Sequence, residues 1–192
     1  ELGVTYLTRE KNLYAKAGNI NAALPHIHGD LVLILDCDHV PTVEFLEQTV
    51  APFIKDEKLW LVQTPHFLIN DDPIEKNIGR SNDMPSECEL FYTSTLRGMD
   101  NWNSAFFCGS GALLRRSHLD EIGGICTKTV TEDIETSIEM HRRGYNSIYI
   151  HKAMLAGLHP ETFRGFIIQR TTLGPRLLKA FFLKEPLILR VR

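Results

Sequence analysis

Residues 31–35 read Leu-Val-Leu-Ile-Leu and are followed at once by Asp36-Cys37-Asp38. Five consecutive aliphatics, too few for a helix and apolar on both faces, predict a central strand buried on both sides by helices. Such a strand belongs to an α/β domain, and ligands of open α/β sheets bind outside the carboxyl ends of the strands. The two carboxylates therefore fall where a site is expected.

The rest of the chain fits an alternation of short strands and helices around a mostly parallel sheet. Strands are expected over 3–7, 60–64, 105–108 and 146–150. Helices are expected over 15–24, over 43–53 with Pro41 at its opening, over 86–100, and over 117–122, where Gly123 and Gly124 end it. The clearest helix is 133–143. Thr129 to Glu132 has the form of a capping box, and Gly144 supplies the left-handed stop. Residues 66–85 are rich in Asn, Asp, Gly and Pro and read as a long loop with one helical turn, a length that usually serves function.

With 192 residues, 43% hydrophobic and 23% charged, the chain has the means to bury a core as one domain. Cys37, Cys88, Cys108 and Cys126 lack zinc-ligand spacing and any disulfide framework, and read as reduced thiols of a cytosolic compartment. No apolar run approaches the ~18 residues of a membrane span, and the piece, which opens on Glu1, reads as soluble or peripheral.

Charge is distributed unevenly. Residues 163–192 hold seven basic side chains and one acidic one, a local +6, so a net charge of −3 leaves −9 on the remainder. Apolar clusters lie between the charges (Leu177-Leu178, Phe181-Phe182-Leu183, Leu187-Ile188-Leu189). That combination suits a helix on an anionic membrane surface, or a terminal helix packed on its own domain. A nucleic-acid partner is disfavoured, because the body is acidic and the basic residues sit among apolar ones.

Four groups of residues could carry chemistry. Asp36 and Asp38 at a strand end can hold Mg²⁺ or Mn²⁺ together with the oxygens of a diphosphate; the alternative is a polar turn. Thr131, Glu132 and Asp133 open a helix, where acids complement the dipole; alternatively Asp133 is a general base that the helix terminus keeps ionised. Phe106-Phe-Cys-Gly-Ser110, with Trp102 before it, offers aromatic faces for pyranose rings and a glycine for close backbone approach, or is ordinary core. Lys16, near a helix start, can meet a phosphate or simply be solvated.

Read in order, Tyr14-Ala-Lys-Ala-Gly-Asn-Ile-Asn21, Leu33-Ile-Leu-Asp-Cys-Asp-His-Val-Pro41, Val62-Gln-Thr-Pro-His66, Glu89-Leu-Phe-Tyr92, Trp102-Asn-Ser-Ala-Phe-Phe-Cys-Gly-Ser110, Gly123-Gly124, Val130-Thr-Glu-Asp133 and Met140-His-Arg-Arg-Gly144 cover nearly the whole chain. They resemble the family 2 glycosyltransferases, and among these the bacterial cellulose synthases. The resemblance implies an α/β fold of GT-A type, with a mixed, mostly parallel central sheet flanked by helices and the family's first strand missing. It implies a catalytic core over 1–162 and a basic amphipathic membrane-interface segment over 163–192. It further implies inverting transfer of glucose from UDP-glucose to the 4-hydroxyl of a growing β-1,4-glucan, at the cytosolic face of the bacterial inner membrane, with missing transmembrane helices and a periplasmic synthase subunit as partner. Related chitin, hyaluronan and β-1,3-glucan synthases share Asp36, Asp38 and Asp133.

Carried over position by position, the resemblance sets Asp36 against the uridine diphosphate and Asp38 on the metal, with Asp36 beside it. Lys16 touches the diphosphate, and Gln169 and Arg170 join the donor side. Asp133 becomes the base within Thr131-Glu132-Asp133, while Phe107, Cys108 and Gly109, with Trp102, border the acceptor's terminal sugar. One motif departs from the family. Gln-x-x-Arg-Trp reads Gln169-Arg-Thr-Thr-Leu173, so Thr172 replaces the guanidinium and Leu173 the flat aromatic face. This departure raises a second reading, a catalytically impaired homologue acting as a binding or scaffold component.

Overall fold

The computed structural model describes residues 3–79, 87–129 and 131–171. A four-stranded sheet of β1 (Leu31–Ile34), β5 (Ala112–Arg115), β3 (Leu59–Gln63) and β6 (Asn146–Tyr149) lies in that order. β5 runs antiparallel to both β1 and β3, and β6 runs parallel to β3. Three strands thus share one direction, with a reversed strand set between them. A smaller sheet joins β2 (Val40–Pro41), β7 (Leu155–Gly157) and β4 (Phe67–Leu68).

The helices are α1 (Ala15–Ala23), α2 (Phe45–Lys55), α3 (Pro73–Ile78), α4 (Glu87–Leu90), α5 (Leu96–Asp100), α6 (Arg116–Ile122) and α7 (Glu132–Arg142). A π-helical turn, Phe91–Thr95, links α4 to α5, so the helix expected over 86–100 forms with a bulge in its middle. Such bulges concentrate at functional sites. A further helix covers 163–171.

The core lies where the pattern is most apolar, though not around the strand the sequence suggested. All five residues of β3 are buried, and Trp60, Leu61, Phe107, Leu114, Leu119 and Met140 form one cluster. β1 is only partly buried and pairs with β5 alone, so among the described residues it is an edge strand rather than the central one. β5 and β3 take the centre. Arg115 ties them to α2 by donating to the carbonyls of Leu59 (2.9 Å), Phe53 (2.7 Å) and Asp56 (2.9 Å).

Other expectations are corrected. Residues 3–7 form no strand, and the apolar side chains of Val4 and Tyr6 are exposed because no neighbouring strand pairs with the segment among the described residues. Pro41 lies in β2, and the helix it was expected to open starts at Phe45. Residues 105–108 are loop because their amides bond to side chains: Phe107 N–H to Ser137 Oγ and Cys108 N–H to Gln63 Oε1, each at 2.9 Å. The capping of α7 also differs. Thr131 is its N-cap with no side-chain cap bond, and Glu135 instead accepts from the Thr129 N–H and hydroxyl, both at 2.9 Å. Gly123 (φ 81°) and Gly144 (φ 83°) hold the left-handed stops that the sequence assigns to them.

Leu114 is fully buried between β1 and β3, whereas Val43 is 99% exposed. Leu114→Ala is expected to cost about 2–5 kcal/mol by transfer and cavity terms, and Val43→Ala to stay within about 0.5 kcal/mol. Urea unfolding of the two variants measures both.

Candidate active site

At the carboxyl end of β1 the chain turns sharply, with the His39 N–H bonded to the Asp36 carbonyl at 3.0 Å. The turn leaves Asp38 exposed and Asp36 half-buried. Ser110 secures it by two bonds: its Oγ accepts the Asp36 N–H (2.9 Å) and shares a hydrogen bond with His39 Nδ1 (2.6 Å). Gly157 of β7 completes the support, because a Cβ there would lie 2.5 Å from His39 Cδ2. The small sheet thus packs directly against the acidic turn.

Lys16 arrives from the first turn of α1. Tyr14 and Ala15 enter this helix with φ of 61° and 41°, a conformation unfavourable for residues with a Cβ and characteristic of functional sites. The Lys16 ammonium pairs with Asp36 and donates to the Gly109 carbonyl. Sequence reasoning gave Lys16 and Asp36 a shared ligand; the structure adds that they contact each other directly.

On the other side of Gly109 stands Asp133. Gly109 holds φ of 81°, and a Cβ built on it would lie 3.7 Å from Asp133 Oδ2. Asp133 Oδ1 accepts the Ile134 N–H at 2.8 Å, so one oxygen is tied to α7 and the other faces the loop. Burial pushes the Asp133 carboxyl up to about 6, assisted by Glu132 and opposed by the Ile134 N–H and Lys16. The helix terminus was expected to keep this acid ionised in the ordinary range; desolvation outweighs it. Burial also raises the Cys108 thiol, with Asp133 adding to the shift.

Lys16, Asp36, Asp38, Cys108, Gly109 and Asp133 thus converge on one edge of the fold, whereas Phe107 is 1% exposed and packs into the core, the ordinary-core alternative for that aromatic. Thr131 is buried at the N-cap, its Oγ1 without a hydrogen-bond partner among the described residues, and Glu132 is half-buried beside Asp133. Trp102 is 84% exposed on the turn after α5, and none of the hydrogen bonds holding the 107–111 loop involves it. Gln169 is exposed on the 163–171 helix, and the Arg170 guanidinium lies 5.1 Å from the Phe166 ring centroid. Thr172 and Leu173 lie outside the described residues.

Sequence reasoning assigned no role to the polar layer beneath the loop. Gln63, Thr64 and His66, at and just beyond the end of β3, bond to the carbonyls of Ser110 and Gly111. His66 donates from Nε2 to the Ser110 carbonyl (2.8 Å) and accepts at Nδ1 from Tyr92 (2.7 Å). Burial lowers the His66 pKa to about 4, which keeps it neutral and its tautomer fixed. The available signal was a strand ending in polar residues, Gln63-Thr64, after an apolar run.

As for a metal, Asp36 and Asp38 supply two hard oxygen ligands at i and i+2, one exposed and one already paired with Lys16. No cluster of three or more His, Cys, Asp or Glu stands ready among the described residues. That donor set suits Mg²⁺ or Mn²⁺, which complete their shells with substrate phosphate and water.

Known proteins share the fold and the family. Among solved structures, the mannosyltransferase PcManGT from Pyrobaculum calidifontis, in complex with GDP-Man and Mn²⁺, superimposes with a TM-score of 0.58 at 21% identity, over 93% of this chain and 44% of that one. Glucosyl-3-phosphoglycerate synthase from Mycobacterium tuberculosis, in complex with Mg²⁺ and UDP, gives 0.51 at 15% identity over 91% and 56%. Both show the GT-A type fold.

Curated relatives include the cellulose synthase catalytic subunits (UDP-forming) of Xanthomonas axonopodis pv. citri (strain 306) and Pseudomonas fluorescens (strain SBW25). The first is 47% identical over 170 residues, 88% of this chain and 23% of the relative. The second is 43% identical over 188 residues, 98% of this chain and 25% of the relative. The chain therefore spans about a quarter of the length of these relatives. Residues 31–172 match the model of glycosyl transferase family group 2, and the chain belongs to that family.

Proposed function

We propose that this chain is the catalytic core of a processive, inverting β-glycosyltransferase that moves glucose from UDP-glucose to the 4-hydroxyl of a growing β-1,4-glucan. The observation that carries the reading is the arrangement about Gly109, whose carbonyl meets the Lys16–Asp36 pair while its α-carbon faces Asp133. A donor phosphate site and a base flank one residue that lacks a side chain. Identity to cellulose synthase catalytic subunits supports glucose and the β-1,4 linkage over the products of chitin, hyaluronan or β-1,3-glucan synthases.

In this reading Asp38, with Asp36 beside it, holds Mg²⁺ or Mn²⁺, which when bound neutralises charge on the departing diphosphate. Lys16 leaves Asp36 for the diphosphate, and Gln169 and Arg170 approach the donor from the 163–171 helix. Cys108 and Gly109 border the acceptor sugar, with the buried Phe107 backing the loop from the core and Trp102 further out. Asp133 Oδ2 takes the proton of the 4-hydroxyl as that oxygen bonds to the anomeric carbon and the bond from this carbon to the diphosphate oxygen breaks. Thr131 and Glu132 set the helix start that carries Asp133. The exposed Phe163, Ile167 and Ile168 of the 163–171 helix support membrane contact for that segment. No described helix is long and apolar enough to cross a membrane. The cytosolic face of the inner membrane and a periplasmic partner subunit follow from the same reading.

UDP titration by calorimetry tests the donor site. Binding is expected to need Mg²⁺ or Mn²⁺ and to lose that dependence in Asp38→Ala; metal-dependent binding unchanged in the variant would remove Asp38 from the metal site.

For catalysis, Asp133→Asn is expected to lower kcat by about 10²–10⁴-fold while UDP still binds. In the parent, Asp133 must be ionised to act, so the rate rises with pH through about 6 and levels above it. A pH–rate profile of polymer formation shows whether this acid limb exists.

The Thr172 and Leu173 substitutions favour the second reading, an impaired homologue. Thr172→Arg with Leu173→Trp, in the membrane-embedded protein, is expected to raise polymer yield from UDP-glucose if these positions limit activity. An unchanged yield locates the limitation elsewhere.

A further inference from the structure

No step above uses Gln63, yet it makes more hydrogen bonds to the loop at the site than any residue assigned there. It closes β3 with a fully buried side chain. Its Oε1 accepts the Cys108 N–H at 2.9 Å, and its Nε2 faces the carbonyls of Thr64 (2.9 Å), Ser110 (2.8 Å) and Gly111 (3.3 Å). A primary amide offers two N–H donors and one acceptor oxygen, and this orientation uses all of them. Glutamate offers no donor when ionised and one when neutral. Methionine offers none.

The loop depends on these bonds because, among the described residues, its backbone joins the sheet at one end alone, where the Thr64 N–H bonds to the Gly111 carbonyl at 3.0 Å. Phe107 N–H is held by Ser137 of α7 and Cys108 N–H by Gln63 of β3. Between them and β5, Gly109 and Gly111 take φ of 81° and 61°. A Cβ on Gly111 would lie 2.8 Å from Leu155 Cδ2 and 3.1 Å from Thr64 Oγ1, so the backbone is pressed against its support. On its outer side the same loop offers the Gly109 carbonyl to Lys16 and the Gly109 α-carbon to Asp133.

We propose that Gln63 is a positioning residue for glycosyl transfer: its buried amide fixes the 108–111 loop so that Gly109 holds the donor-side lysine and the base in register. This rests on the reading of the site as a glycosyltransferase centre. Asp133 is faced by Glu132 on its own helix, by Lys16 from α1, by Cys108 from the loop and by Tyr92 from the π-helical turn. Without the strut, Cys108 and Gly109 move away together, and the cover that desolvates Asp133 opens.

The test uses Gln63→Glu and Gln63→Met, with Leu61→Val as a control that disturbs the packing of the same strand without removing a hydrogen bond to the loop. Two readouts are taken: kcat for polymer formation by the membrane-embedded protein, and the Asp133 carboxyl titration by ¹³C NMR on the unliganded chain. Both Gln63 variants are expected to lose about 10²-fold in kcat, the scale of a misplacement near 1 Å, and to titrate Asp133 below the parent value. Leu61→Val is expected to keep both. Gln63 variants that retain the parent titration, or that lose activity only in proportion to their folded fraction, would overturn the proposal. If the parent makes no polymer, the transfer reading fails while the NMR titration still decides the role of Gln63.

Discussion

Buried backbone N–H and C=O groups must find partners, and between residues 107 and 111 they find them largely in side chains of neighbouring elements, with one backbone bond from the Thr64 N–H to the Gly111 carbonyl. Ser137 and Gln63 accept from the loop, and Gln63, Thr64 and His66 donate to it. The Ser110 hydroxyl then extends the same set of bonds to Asp36 and His39. The acidic turn after β1, the glycine loop and the start of α7 are therefore one hydrogen-bonded unit. Displacing any one of them shifts the others, because they are joined mainly through Ser110, Gln63 and Ser137.

The same unit sorts carboxylates by environment. Asp36 sits beside an ammonium, in a half-open turn where water still reaches its neighbour Asp38. Asp133 sits beneath a loop, with an acidic neighbour and only a more distant lysine, and burial raises its pKa to about 6. The two acids differ in solvation and partners, and they lie on opposite sides of a residue with no side chain.

Much of this was legible in the sequence. Asp36, Asp38, Asp133 and Gly109 stood out by type and by position after a strand, at a helix start and in a loop, and the structure brings them to one edge. The sheet's topology was less legible, because an apolar run does not record its neighbours: 31–35 looked central, yet β1 lies at an edge and β5 runs against it. Residues 105–108 looked like a strand from their aromatics, but their amides are taken by Ser137 and Gln63. The capping of α7 was displaced for a similar reason, since Glu135, one turn on, bonds to Thr129. Gln63 and His66 lie in the Val62-Gln-Thr-Pro-His66 stretch that carries the resemblance, yet gained no role of their own, because a polar residue at a strand end shows its partners only in the fold.

The account's central claim is that a metal-bound donor lies at the Asp36–Asp38 turn, within reach of Gly109 and Asp133. Adding Mn²⁺ to the chain with UDP and following paramagnetic broadening in its NMR spectrum tests this most directly. The account predicts selective broadening at Cys37, Asp38 and His39, extending to Gly109 and the start of α7, and dependent on UDP. Broadening centred elsewhere, or unaffected by UDP, would contradict it.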